Sequence, residues 1–316
     1  MTTWLATWLA ALMFADVGEA AEPDAGPPPV VAGYAPHHGG DWSVDSELPL
    51  TDILYFSVEP AADGTVAAPR LDEQIAQEIA RLHEAYEGRG GVRILLCVGG
   101  WGKSAGFAEA THDDARRARL VAELAAFCEA YGFDGIDYDW EHPANDAQLA
   151  DYTKLIVETA AAIHPTGRIV TVAQAGWQDL GQDAYDALDR VHLMSYDHAY
   201  PQATRDKADA DVERLLDWGC PPEKIALGLP FYGRNAERST RTYRQLIAGR
   251  DALDPATDVI DGYAFNGPAT VRAKTQSALD AGLAGVMVWQ VYQDAPGEDS
   301  LLRVIGEAIE ARAPQR

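Results

Sequence analysis

From Val30 onward the chain alternates short, apolar, β-branched runs with longer segments of helical period, which restricts it to an α/β fold on a mostly parallel sheet. Eight runs read as strands: 30–34, 52–58, 92–98, 133–139, 168–174, 190–196, 224–230 and 285–291. Helical segments lie between many of them, clearest at 71–86, 112–131, 146–163, 207–218 and 268–281, with another at 299–312. Leu120, Leu124, Phe127 and Cys128 recur at i, i+4, i+7 and i+8, the spacing of a helix laid on a sheet. Runs such as ILYFSV and RILLCV are largely apolar rather than alternating, as strands covered by helices must be. Eight such units predict a closed (β/α)8 barrel of the TIM type. Periodicity does not see closure, so a doubly wound open sheet is the alternative. The lack of G-x-G-x-x-G after the first strand argues against its nucleotide-binding version. The connection 231–267 is one of the longer ones, with turn residues and one weak helix near 241–248, and is too short for an independent domain.

Ahead of this pattern, Trp4 to Phe14 is a mostly apolar run too short to span a bilayer, and Gly18-Glu19-Ala20 offers small residues for cleavage. Residues 1–20 therefore read as a secretory signal peptide, and a secreted or periplasmic location is expected. No Lys or Arg precedes the run and Asp16 follows it, which leaves an uncleaved anchor as the competing reading. Residues 21–29, AEPDAGPPP, read as a Pro-rich linker, and 30–316 as one barrel domain. With 49 acidic against 25 basic residues, the net charge of −24 repels phosphate backbones and anionic lipid. Nucleic acid and membrane are thus not expected partners, and a monomer is expected. Cys97, Cys128 and Cys220 are odd in number and far apart, with neither a disulfide framework nor a CxxC metal spacing, so buried thiols are the default.

The densest chemistry lies in Phe133-Asp134-Gly135-Ile136-Asp137-Tyr138-Asp139-Trp140-Glu141. Strand side chains alternate faces, so Asp137, Asp139 and Glu141 share one, spaced about 6–7 Å apart. In a barrel this row faces inward and climbs to the C-terminal rim, where barrel active sites lie. Three carboxylates in a column do not all ionise cheaply, so at least one keeps a proton near neutral pH. Glu141, longest and nearest the rim, is the candidate proton donor; Asp139 shares protons and orients substrate, with Asp137 below it. Asp134, on the other parity, reads as a residue that fixes the turn into the strand. The competing view of the run is a solvated acidic turn.

Asp134-x-x-Asp137-x-Asp139-x-Glu141 resembles the D-x-x-D-x-D-x-E signature of glycoside hydrolase family 18, the chitinases and endo-β-N-acetylglucosaminidases. Gly33-Tyr34 is similar to that family's first strand, Val98-Gly99-Gly100-Trp101 to its third and Met194-Ser195-Tyr196-Asp197 to its sixth. Gly228-Leu229-Pro230-Phe231-Tyr232-Gly233-Arg234 is similar to its seventh and Met287-Val288-Trp289 to its eighth. The resemblance runs over roughly residues 30–312, the span of the strand–helix pattern. It implies the closed barrel and retaining, substrate-assisted hydrolysis, in which the sugar's own 2-acetamido carbonyl replaces a protein nucleophile. It further implies Glu141 as the acid, Asp139 and Tyr196 on the acetamido group, and Asp137 beneath as the fourth catalytic residue. Tyr34, Trp101, Asp197 and Trp289 would contact substrate, Trp289 as a floor for the sugar. An N-acetylglucosamine polysaccharide or oligosaccharide is the implied partner, with no cofactor and no metal.

Trp42, Trp101 and Trp177 follow strands one, three and five, where each is as suited to packing as to a sugar platform. His37, His38, His142 and His198 fall on C-terminal loops with a spacing that suits no recognised metal site. Three positions depart from the family pattern: Cys97 where Ser is usual, His142 where Tyr is common, and Gln290 where Glu is common. The family's frequent α+β insertion between strands seven and eight is not seen, which predicts a shallower cleft and endo rather than processive exo cleavage. An endo-β-N-acetylglucosaminidase on N-glycans or a peptidoglycan glycosidase would need the same chemistry. A non-catalytic chitinase-like lectin is the alternative of another class, set against the retained Glu141.

Overall fold

The computed structural model describes residues 28–37, 42–250 and 253–312. The expected signal peptide, most of the linker and His38 lie outside them. Eight parallel strands form the centre: β1 Val30–Pro36, β2 Asp52–Pro60, β3 Arg93–Gly99, β4 Gly135–Asp139, β5 Ile169–Ala175, β6 Arg190–Met194, β7 Ile225–Pro230 and β8 Gly285–Trp289. Each pairs with the next, and β1 pairs with both β2 (Ala32 opposite Asp52) and β8 (Val30 opposite Gly285), so the sheet closes into a barrel. This excludes the open doubly wound sheet.

Helices cover the barrel: Glu73–Glu87, Asp114–Tyr131, Asp146–Ile163, Arg205–Asp217, Pro268–Asp280 and Leu301–Glu310. Their starts follow side chains that accept the otherwise unpaired first N–H groups, Asp72, Asp113, Asn145, Thr204 and Ser300 among them. In Asp114–Tyr131, Leu120, Leu124 and Cys128 are fully buried and Phe127 partly, each buried apolar side chain being worth about 1.5–3 kcal/mol. That helix ends at Gly132, which takes φ 83° so that its N–H can return to Cys128 O. Two short helices, Phe107–His112 and Gln182–Ala187, were not legible as periodic segments. All three cysteines are free and buried.

The connection after β7 is richer than its turn residues suggest. It holds the expected helix, as Tyr243–Ile247, and also a small antiparallel sheet. In it Tyr232–Arg234 pairs with Thr240–Thr242 and Tyr263–Ala264, and the latter with Val259–Ile260. Strands of two and three residues carry too little periodicity to be read from sequence.

Two apolar cores result. The larger lies between helices and barrel and takes Ile136, Tyr138 and Trp140 from the β4 run. The smaller fills the barrel and includes Tyr34, Leu54, Phe56, Leu95, Cys97 and Met287. Cys97 stands opposite Asp137 in register and Gly99 opposite Asp139, so the odd-numbered β4 residues face the barrel interior.

Candidate active site

At the base of the site Asp137 is fully buried, yet none of its acceptor capacity is wasted. Tyr34 donates its hydroxyl to Oδ2 at 2.8 Å, Thr171 donates to Oδ1 at 2.6 Å, and His192 Nδ1 stands 3.1 Å from Oδ1. Thus β1, β5 and β6 converge on one carboxylate, which anchors the column. Beside it the Cys97 thiol is pushed well above the ordinary thiol range, first by burial and then by the charges of Asp137 and Asp139. Cys97 is therefore an inert filler with one weak S–H to offer.

Asp139 ends β4, and its main chain is pinned: Gly100 N–H donates to Asp139 O at 2.6 Å and the Ser104 hydroxyl donates to it at 3.1 Å. Its side chain is different. Oδ1 is buried and has no hydrogen-bond partner. Burial first, then the charges of Glu141 and Asp137, lifts this carboxyl well above the usual range. A buried acceptor left empty costs about 1–3 kcal/mol, which a protein retains where a ligand completes it.

Glu141 follows one step beyond the strand, its N–H held by Ser104 Oγ at 3.0 Å. Its side chain is only 16 % exposed. Burial, then the charge of Asp197, raises its carboxyl from the ordinary 4.5 to about 7, against a lowering bond from the Trp101 N–H. Glu141 thus holds a proton near neutrality and can give it up, the property a general acid needs. His142 Nε2 lies 3.5 Å from Glu141 Oε2, beyond a good hydrogen bond, and its ring meets Trp177 edge-on at 4.9 Å.

The other expected residues gather at the same rim. Tyr196 is half-buried beside Glu141; burial first, then Tyr232 and Asp139, keeps its hydroxyl protonated and able to donate. Asp197 is exposed, and its Oδ1 accepts the Tyr232 hydroxyl at 2.6 Å and pairs by charge with Arg234 Nη1 at 2.9 Å. Trp289 is half-buried, braced by Phe56 at 4.8 Å and Tyr34 at 5.5 Å between ring centroids. Trp101 is 80 % exposed and Trp177 63 % exposed. Two hollows open here, about 390 Å³ against Glu141, Trp177 and Tyr196, and about 540 Å³ against Phe56 and Lys103.

Two aromatic residues named from the sequence lie buried. Tyr34 is buried to 1 %, covered by Phe56 and Trp289, so its hydroxyl meets Asp137 and not the open cleft where a sugar would lie. Trp42 packs in the outer core, its indole N–H donating to Ala35 O at 2.9 Å. Asp134 accepts the Ile94 N–H and meets His83 Nε2, both at 2.7 Å, and so ties β4 to β3 and the first helix. Phe56, Ser104, Thr171 and His192 were not singled out from sequence. Phe56 had a signal, inward parity on β2; the others act by contacts that no local pattern encodes. Tyr232 and Arg234 lay inside a recognised motif without a role.

The sequence matches the profile of glycosyl hydrolases family 18 over residues 31–294, and the chain belongs to that family. It is similar to Chitinase 1 of Aphanocladium album, 24 % identical over 80 % of this chain and 78 % of that protein. It is also similar to Chitinase C of Streptomyces lividans, 26 % identical over 83 % of this chain and 51 % of that one. Among solved structures, a chitinase from Bacteroides thetaiotaomicron superposes with a TM-score of 0.78 at 23 % identity, covering 92 % of this chain and 99 % of that one. A class V chitinase mutant from Cycas revoluta, solved with (GlcNAc)3, gives 0.75 at 22 %, covering 88 % and 99 %.

Proposed function

We propose that this glycoside hydrolase cleaves β-1,4 linkages in N-acetylglucosamine polymers such as chitin and its oligosaccharides, with retention, by substrate-assisted catalysis. The observation that carries the reading is the pairing of an empty buried acceptor, Asp139 Oδ1, with a neighbouring acid raised to about 7. An acetamido N–H seated on Asp139 would donate to Oδ1 and turn its carbonyl oxygen toward the anomeric carbon. The Tyr196 hydroxyl donates to that carbonyl. Glu141 then passes its proton to the glycosidic oxygen as the C1–O bond breaks and the carbonyl oxygen bonds C1, giving an oxazolinium ion. Water attacks C1 from the side the leaving group vacated, Glu141 takes its proton, and configuration is retained. Trp289 is the floor beneath this sugar, and Trp101, Trp177 and Asp197 line its surroundings.

The names of the similar proteins support chitin as the polymer. The test is a panel of N-acetylated chitotetraose, deacetylated chitotetraose, an N-glycoprotein and peptidoglycan, with product anomers read by NMR. The expected result is cleavage of the acetylated oligomer alone, with the β-anomer formed first. Equal cleavage of the deacetylated oligomer would refute substrate assistance; preference for glycoprotein or peptidoglycan would refute chitin. Among the described residues no helix is long and apolar enough to cross a membrane. Export is part of the proposal, and N-terminal sequencing of secreted protein should find a start near residue 21; a start at Met1 would contradict it.

A further inference from the structure

After Tyr196 the chain turns sharply, and the network that holds this turn has no part in the chemistry above. Asp197 takes φ 62°, the left-handed region that a non-glycine residue enters only when its surroundings hold it there. Its N–H donates to Gln202 Oε1 at 3.3 Å, and the next N–H, of His198, donates to Gln202 O at 3.1 Å. Gln202 is itself buried and donates from Nε2 to Tyr232 O at 3.1 Å.

The His198 ring closes the network. Nδ1 lies 2.9 Å from Gln202 O, and Nε2 lies 2.9 Å from Asp211 Oδ2. A carbonyl oxygen has no proton to give. Asp211 already accepts the Ser195 hydroxyl at 2.7 Å and pairs with Arg214 at 3.0 Å, which fixes it as a carboxylate. Turning the ring over would set carbon atoms against both oxygens. A ring that donates from both nitrogens carries two protons and a positive charge.

We infer that His198 is an imidazolium clamp, a positioning residue that ties the carboxylate of Asp211 to the carbonyl of Gln202 and so fixes Tyr196 and Asp197 at the rim. Asp211 is the hub: Arg214, which pairs with it, also donates to Gly176 O, so the turn bearing Trp177 hangs from the same carboxylate. Gly176 has to be glycine, because a Cβ there would lie 2.7 Å from the Asp211 carboxyl. The charges around the ring are Asp211, Arg214 and Lys207 from the helix beneath, Asp197 on its own turn, Arg234 and Arg238 from the β7–β8 connection, and Glu141 and His142 across the hollow. The Asp211 bond outweighs burial and raises the ring above the usual imidazole value, while Asp211, which burial alone would raise, is held low by His198 and Ser195. Deprotonation with rising pH removes one of the two ring bonds and loosens the turn. The catalytic consequence rests on the functional reading above; the clamp does not.

The test is NMR of the full chain with labelled histidine, amide exchange, and kinetics on N-acetylchitotetraose, for wild type, His198→Gln and Asp211→Asn. His198 should show both ring nitrogens protonated at pH 7 and titrate above pH 7 rather than at the ordinary imidazole value of about 6.5, and Asp211→Asn should move that titration down. In both variants the Asp197 amide should exchange at least tenfold faster while Val172, in the barrel, is unchanged. At pH 6 the kcat of His198→Gln should fall about tenfold with KM changed less than twofold. A singly protonated ring at pH 7, or unchanged exchange at Asp197 in folded His198→Gln, would overturn the clamp. Wild-type kcat in a variant whose Asp197 exchange has risen would overturn its catalytic role. If no N-acetylglucosamine oligomer is cleaved by wild type, the functional reading fails while the protonation and exchange results still decide the clamp.

Discussion

Replacing Glu141 by Gln should abolish hydrolysis and, above neutral pH, make the folded chain more stable. The side chain is 16 % exposed and sits among Asp139 and Asp197, so the fold holds its carboxyl at about 7 where an unfolded chain holds it near 4.5. Between those values the native state binds more protons than the unfolded state, and stability falls as pH rises. At about 1.36 kcal/mol per pH unit the whole gap is worth about 3 kcal/mol, stability that is present near pH 4 and fully lost by about pH 8. Gln has the same shape, carries no charge and keeps an oxygen for the Trp101 N–H, so it removes the penalty without opening a cavity. At about 2–4 °C per kcal/mol for a domain of this order, the variant should melt about 6–12 °C above wild type at pH 8 and level with it at pH 4. Thermal unfolding of both proteins across that range is the assay. A difference that does not change with pH, or a variant less stable than wild type at pH 8, would refute the idea that the fold pays for its acid by burying it.

The same carboxyl predicts a pH profile: kcat/KM should fall about tenfold per unit above about pH 7, as free Glu141 loses its proton, and a profile flat to pH 9 would count against it. Trp101→Ala should leave the melting temperature within about 1 °C, since the ring is 80 % exposed, yet raise KM for long oligomers about fivefold from about 1 kcal/mol of lost stacking. Gly100→Ala should cost about 1–3 kcal/mol and lower kcat, because φ is +106° and a Cβ would lie 2.3 Å from the Phe56 ring that braces Trp289. Denaturant titration and steady-state kinetics check both variants.

Strand parity decides which way a side chain points, and here it was enough to find the column Asp137, Asp139, Glu141 and to set Ile136 and Tyr138 on the opposite face. The helix-covered parallel sheet was legible because runs such as RILLCV answer to burial on both sides, whereas its closure came only with the family resemblance. Parity says nothing of depth along a strand. Tyr34 and Trp289 both face inward on neighbouring strands, yet the first lies at 1 % exposure on Asp137 and the second is half-exposed at the rim. What separates them is the layer each reaches, and that depends on barrel stagger, a property of all eight strands together. Support for Asp137 was hidden by distance in another sense: Tyr34, Thr171 and His192 reach it over 103, 34 and 55 residues of sequence. Nor does any periodicity mark the clamp at His198, whose partners Gln202 and Asp211 lie on a turn and on a helix. A carboxylate column carried by one strand can be read locally; the groups that set its protonation come from the whole ring, so the column is found from sequence and its protonation only from the fold.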